Sequence, residues 1–267
     1  MNRLWYCKLL TTHLVIVLLL SRVEAGSKQN NRVIGGIVVN ETSAGWHVAV
    51  IYKRALICSG SLLRRSIVLT AASCIIDLNY NDLVIRGGSI HFKMGGQIRE
   101  IRQTAVHPEF KPGKNSYNIA LINLRRPLSN NNGNIKTLRI PTAESIDLPS
   151  AISVYGWGIS SFHTGNYLTK KLRVAKFKVY SDRKCLHYLP NADTENIKNL
   201  ICMGDRTKIV DICNDDIGTA AINTQYNTVY GIVSTTGACT ENHTIIATRV
   251  APHSSWINSV LTEWQRT

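Results

Sequence analysis

Past the first 25 residues the apolar runs of this chain are short, and that shortness limits the folds open to it. Trp46 to Tyr52, Ser66 to Ala71, Leu83 to Ile85, Ile119 to Leu124, Val154 to Tyr155 and Val229 to Ser234 are rich in Val, Ile and Leu. Clusters of Gly, Asn, Ser and Pro lie between them. Branched side chains suit a pleated surface, and turn-forming residues stop each run before it reaches the length of a helix. Many short strands joined by turns make an all-β barrel or sandwich. With 267 residues, 44% hydrophobic and 18% charged, the chain can fill one or two cores and lacks the composition of a disordered polymer. One segment breaks the pattern. Between Val250 and Trp264, the residues Trp256, Ile257, Val260, Leu261 and Trp264 fall at helical spacing, which predicts an amphipathic C-terminal helix docked on the barrel. No repeat or linker divides the chain after Arg32, and the polar stretch Ser129 to Asn134 is expected to connect two halves.

The N-terminus carries a different signal. Arg3 and Lys8 precede the apolar run Leu14 to Leu20, and Val23 and Glu24 lead to small Ala25. A basic start, a short apolar stretch and a small-residue cut site make a secretory signal peptide, here residues 1–25. The run is too short to span a bilayer well, so the product is expected to be soluble and extracellular. Of seven cysteines, Cys7 leaves with the signal, and Cys58, Cys74, Cys185, Cys202, Cys213 and Cys239 remain. An even number in a secreted chain reads as disulfides, with the pairing left open by spacing alone. The formal charge is +14. Such charge aids solubility and attracts acidic partners, sulfated glycans or anionic surfaces among them. No zinc-finger spacing or nucleic-acid motif accompanies it. Asn40 and Asn242 each begin an N-x-S/T sequon and are candidate glycosylation sites.

Six segments, taken in order, carry a resemblance. They are Arg32-Val33-Ile34-Gly35-Gly36, Val68 to Cys74, Asn118-Ile119-Ala120-Leu121, Tyr155-Gly156-Trp157-Gly158, Cys213 to Ala220, and Gly231-Ile232-Val233-Ser234. Their order and spacing resemble the trypsin/chymotrypsin family of serine proteases, from Arg32 to the C-terminus. The resemblance implies an all-β fold of two six-stranded antiparallel β-barrels with a C-terminal α-helix. It divides the chain into a signal peptide (1–25), a short propeptide (26–32) and a trypsin-like domain (33–267).

The family's chemistry needs a serine to attack, a histidine to carry its proton and an aspartate to orient that histidine. The resemblance places Ser73 at the histidine position, Asn118 at the aspartate position and Ile217 at the nucleophile position, so no catalytic residue is assigned. It places Asp215 at the oxyanion position, where a carboxylate would repel the developing charge. Asp211 falls at the base of the primary pocket, with Thr236 and Ile245 where wall glycines are needed and Thr235 where a tryptophan usually stands. Those branched side chains are expected to fill the pocket. His47, His107, His187 and His243 match no catalytic position and are expected to be surface or loop residues.

Other features follow from the same resemblance. Cleavage after Arg32 would free the Val33 amino group to pair with Asp216. The disulfides are expected as Cys58–Cys74, Cys185–Cys202 and Cys213–Cys239, and a further trypsin bridge is missing at Ile152 and Asn223. The expected calcium loop, Arg86 to Glu100, has one acid and carries Arg86, Lys93 and Arg99, so neither metal nor cofactor is expected. Lys170, Lys171, Arg173, Lys176 and Lys178 form a candidate exosite for acidic glycans, with Lys171 and Arg173 on one strand face and Lys176 and Lys178 on another. The reading is a secreted, non-catalytic serine protease homologue of the insect type. It would be a cofactor, scaffold or decoy for extracellular proteases, inhibitors or receptors in an immune or reproductive cascade. The alternatives are an active trypsin-like endopeptidase with a rearranged site and a glycan-binding extracellular protein.

Overall fold

A tight hairpin shows how this sequence turns corners. β2 (His47–Tyr52) and β3 (Ala55–Arg64) pair with Tyr52 opposite Ala55, so the loop holds only Lys53 and Arg54. Two-residue loops match the twist of their strands when both residues are left-handed, and here φ is 45° and 70°. Asn-Gly accepts that conformation readily, whereas residues such as Lys and Arg, without the local hydrogen bonding of Asn, pay about 1–2 kcal/mol each. Lys53 N–H donates to Asp82 O at 3.2 Å and fastens the turn to the following segment. The structure is a computed structural model describing residues 36–143, 147–158, 171–189, 196–204, 212, 214–235 and 244–266.

β4 (Ile67–Thr70), β5 (Leu83–Gly87), β6 (Gln97–Val106) and β7 (Ala120–Leu124) complete the first barrel. It is closed and antiparallel, in the order β2-β3-β4-β7-β6-β5, with β5 returning to β2. Its interior follows from strand alternation. Leu83 and Ile85 of β5 are buried, while Val84 and Arg86 between them are partly exposed.

The second barrel comprises β8 (Ala151–Gly156), β9 (Arg173–Val179), β10 (Leu200–Gly204), β11 (Ala220–Asn223), β12 (Thr228–Thr235) and β13 (Ile245–Arg249). Their order is β9-β10-β13-β12-β11-β8, and β9 also pairs with β8, which closes the ring. The short β1 (Ile37–Val38) adds to β9. Ile152, Val154, Phe177, Ile201 and Val233 fill this core, each side chain contributing about 1.5–3 kcal/mol. The exposed residues 129–133 lie in the connection between the barrels, as the polar composition suggested.

The helix α1 (Asp182–Leu186) is capped by Ser181 and carries Cys185, bridged to Cys202 of β10 with Cα atoms 5.4 Å apart. Cys58 and Cys74 form the other described disulfide, at 6.1 Å. Cys213 and Cys239 lie outside the described residues. The β8–β11 register, Ser153 opposite Ile222, brings Ile152 and Asn223 together in place of a further bridge. The terminal helix α2 (Ser254–Arg266) buries Ile257, Val260 and Leu261 and packs Trp256 and Trp264 against the core. It starts at Ser254 rather than at Val250, directly after a 3-10 turn, Ala251–His253, that carries Pro252.

Candidate functional site

The segment Asn214 to Thr219 lies where the two barrels meet. Ser59 N–H of β3 donates to Ile217 O at 2.8 Å, and Ser59 Oγ donates to Asp215 O at 3.2 Å. On the other side, Gly218 N–H donates to Val233 O at 2.9 Å and Thr219 Oγ1 to Tyr155 O at 2.7 Å. Gly218 has φ of 85°, and a Cβ there would stand 2.3 Å from both Ser59 O and Thr70 Oγ1. Only glycine fits. Ile217 is half-buried against the first barrel's core, and its carbonyl lies 3.8 Å from Cys74 Sγ.

Ser73 is exposed in the 3-10 turn Ala72–Cys74, next to the Cys58–Cys74 bridge. Asn118 is buried beside it and makes a two-point contact. Ser73 N–H donates to Asn118 Oδ1 at 2.9 Å, and Asn118 Nδ2 donates to Ser73 Oγ at 3.1 Å. Behind Asn118 sits a buried hydroxyl pair. Thr248 Oγ1 lies 2.7 Å from Asn115 O and 2.6 Å from Ser234 Oγ, and Ser234 Oγ lies 3.1 Å from Ile232 O, so the two hydroxyls share their protons among these acceptors. Ser234 is thus committed to Thr248 within a structural network.

Two acids adjoin Ile217 and have different settings. Asp215 is half-buried, and desolvation pushes its carboxyl up from the ordinary value, partly offset by its own backbone N–H. Asp216 is wholly buried, and Gly158 N–H donates to its Oδ1 at 2.9 Å. A Cβ on Gly156 would lie 2.0 Å from that same oxygen, so glycine at 156 makes room for the carboxylate.

The histidines correct the sequence reading. His47 is buried in β2 at 2% exposure, neither surface nor loop; His107 lies in the loop after β6 but is buried, at 8%, and His187 is exposed. His243 lies outside the described residues. The His47 ring packs 4.7 Å from Trp157, neither ring nitrogen has a hydrogen-bond partner among the described residues, and burial pushes its pKa down to about 3. A sequence signal existed, since His47 interrupts the otherwise apolar run Trp46 to Tyr52. His107 packs 4.9 Å from His253 and from Trp256. His253 was not singled out by sequence, and burial, then proximity to His107, lowers its pKa to about 4.

Of the remaining candidates, Ile245 is buried in the second barrel's core near Ile212. Asn40 is exposed in a turn. Lys176 and Lys178 share an exposed face of β9, but Arg173 alternates to the other face and donates to Gly36 O at 3.0 Å. Lys171 precedes the strand, so the expected Lys171–Arg173 strand face does not form. Arg32, Val33, Lys170, Asp211, Cys213, Thr236, Cys239 and Asn242 lie outside the described residues.

The sequence pattern of the family described as Trypsin matches residues 33–257. Among similar proteins, a trypsin of Phaedon cochleariae is 28% identical over 236 residues, covering 86% of this chain and 88% of the relative. Tonin of Rattus norvegicus is 27% identical over 263 residues, covering 94% and 97%. A crystal structure titled scabies mite inactivated protease paralogue S-D1 superposes with a TM-score of 0.75 at 22% identity, covering 86% of this chain and 97% of that one. Two closed barrels meeting at Ile217, and a family pattern that spans both, make this chain a member of the trypsin family.

Proposed function

We propose that this chain is a secreted trypsin-family protein that binds other extracellular proteins and does not hydrolyse peptide bonds. One observation carries the reading: the buried Asn118 amide closes on Ser73, beside a half-buried Ile217. Acyl transfer needs a nucleophile and a base to take its proton. Ile217 offers only carbon. A serine hydroxyl at 73 is no base near neutral pH, and an uncharged amide at 118 could not stabilise an imidazolium. Asp215, immediately before Ile217, brings a carboxylate to a place where catalysis needs hydrogen-bond donors. The scabies mite protein is itself named an inactivated paralogue, while other relatives are named as trypsins. A fold kept whole around such residues suits a cofactor, scaffold or decoy in an extracellular protease cascade. A glycan-binding role draws less support, because Arg173 is turned away from the Lys176–Lys178 face.

The test uses the full chain, secreted and then cut after Arg32 by immobilised trypsin. The product is treated with a fluorophosphonate probe and with a peptidyl-arginine amide. No label and no turnover above buffer is the expected result. Labelling or turnover that disappears in a Ser234→Ala or Ser73→Ala variant assigns a rearranged active site and overturns the proposal.

A further inference from the structure

On the outer face of the first barrel, strands β2, β3, β5 and β6 border a cleft of about 760 Å³. That size suits a segment of a ligand rather than a single ion. Its floor is apolar: Ile51, Leu56, Val84, Phe92 and Ile98 line it, and Ile98 is 48% exposed. Its rim is basic, with Lys53, Arg54, Arg86 and Lys93 against one acid, Asp82. None of these four cations takes part in an ion pair among the described residues. Lys53 and Lys93 rest over the rings of their neighbours Tyr52 and Phe92, and Arg86 Nη1 reaches Gly95 O. Arg86 Nε is buried with no hydrogen-bond partner among the described residues.

The hairpin turn adds an independent observation. Lys53 and Arg54 occupy left-handed positions that Asn-Gly would fill with less strain. Strain of this kind persists where the surrounding structure holds it, and it points to a role for the side chains it presents. Those side chains are the two cations at the mouth of the cleft.

We propose that this cleft docks an acidic peptide segment of a partner protein, one that places a large apolar side chain on the floor and carboxylates against the rim. The barrel is closed, so β2, β3, β5 and β6 offer no free edge for an added strand. Recognition therefore falls to side chains. A sulfated glycan satisfies the rim but has no apolar group for Ile51, Val84 and Ile98, and the floor favours a peptide. The inference does not depend on whether the chain hydrolyses anything.

The probe is a short fluorescein-labelled peptide of Glu and Asp interspersed with Phe and Leu, titrated with the full-length secreted protein by fluorescence polarisation. The double variant Lys53→Asn/Arg54→Gly removes two rim charges and supplies the favoured turn, so its fold is secure. It should bind about tenfold more weakly, and the difference should shrink with added salt. Ile98→Ser should weaken the peptide several-fold while leaving a heparin oligosaccharide unaffected. A control peptide with Lys in place of the acids should not bind. Wild-type affinity in both variants overturns the proposal. So does a heparin oligosaccharide that needs the rim, combined with a peptide indifferent to Ile98→Ser, because that pair of results describes a glycan site.

Discussion

Replacing His47 with Leu should remove much of this protein's sensitivity to mild acid. His47 is buried against Trp157, and burial alone lowers its pKa from 6.5 to about 3. The folded state therefore holds the ring neutral, while the unfolded chain protonates it near its ordinary value. A depressed histidine leaves stability intact above the unfolded pKa and removes it as pH falls from there towards the folded pKa. At about pH 5 the unfolded ring is protonated some 1.5 units below its midpoint, at about 1.4 kcal/mol per unit, so His47 destabilises by about 2 kcal/mol relative to pH 7.5. His253, lowered to about 4, adds a similar amount over the same interval. His47→Leu keeps an apolar side chain against Trp157 and eliminates two buried nitrogens that have no partner among the described residues, so at pH 7.5 it should be neutral or stabilising by about 1 kcal/mol. Urea unfolding of wild type and variant at the two pH values measures both quantities. The variant should lose about 2 kcal/mol less than wild type between pH 7.5 and 5. Equal losses in the two proteins would refute the assignment of His47 as a neutral, desolvated ring.

Three further outcomes are expected. Gly156→Ala sets a methyl 2.0 Å from Asp216 Oδ1 and should cost several kcal/mol, more than ~3, by the same denaturation measurement; a cost under ~1 kcal/mol would show that the Asp216 carboxylate can move aside. The pair Cys58→Ala/Cys74→Ala opens a loop of sequence separation 16 and should lower stability by about 3 kcal/mol, read from the urea midpoint. The triple variant Ser73→His/Asn118→Asp/Ile217→Ser should remain far below a trypsin on a peptidyl-arginine amide, by at least ~100-fold, and adding Asp215→Gly should recover part of the difference; full activity in the triple variant would discard the role given to Asp215.

The short apolar runs were legible because their residues suit strands, and they became parts of β2, β4, β5, β7, β8 and β12. Two of the strands that escaped notice, β6 and β9, carry their polarity outwards. β6 alternates Ile98 and Glu100 on the exposed side with Gln97 and Arg99 half-buried, so no hydrophobic run announces it. β9 read as a basic stretch, and its buried Ala175 and Phe177 lie between lysines. At the junction of the barrels, motif order singled out Ser73 and Asn118, but the two-point contact between them depends on a fold that joins residues 45 apart. Burial of His47 was missed because residue type argued for the surface while its neighbours argued for the core. The basic cleft was invisible for a different reason. Its floor and rim come from the separate segments 51–56, 82–86 and 92–98, which only the closed barrel assembles.

Gly218 separates two demands that meet in one short loop. Its α-hydrogen faces Ser59 O and Thr70 Oγ1 of the first barrel and its N–H donates to Val233 O of the second, so the backbone there is a casting of both barrels. Ile217 next to it is half-exposed, and its main-chain bond to Ser59 N is independent of its side chain. The position is therefore an attachment point already set into a rigid frame. An Ile217→Cys thiol would carry a fluorophore or spin label at the meeting of the two barrels, where a docked partner would change its signal.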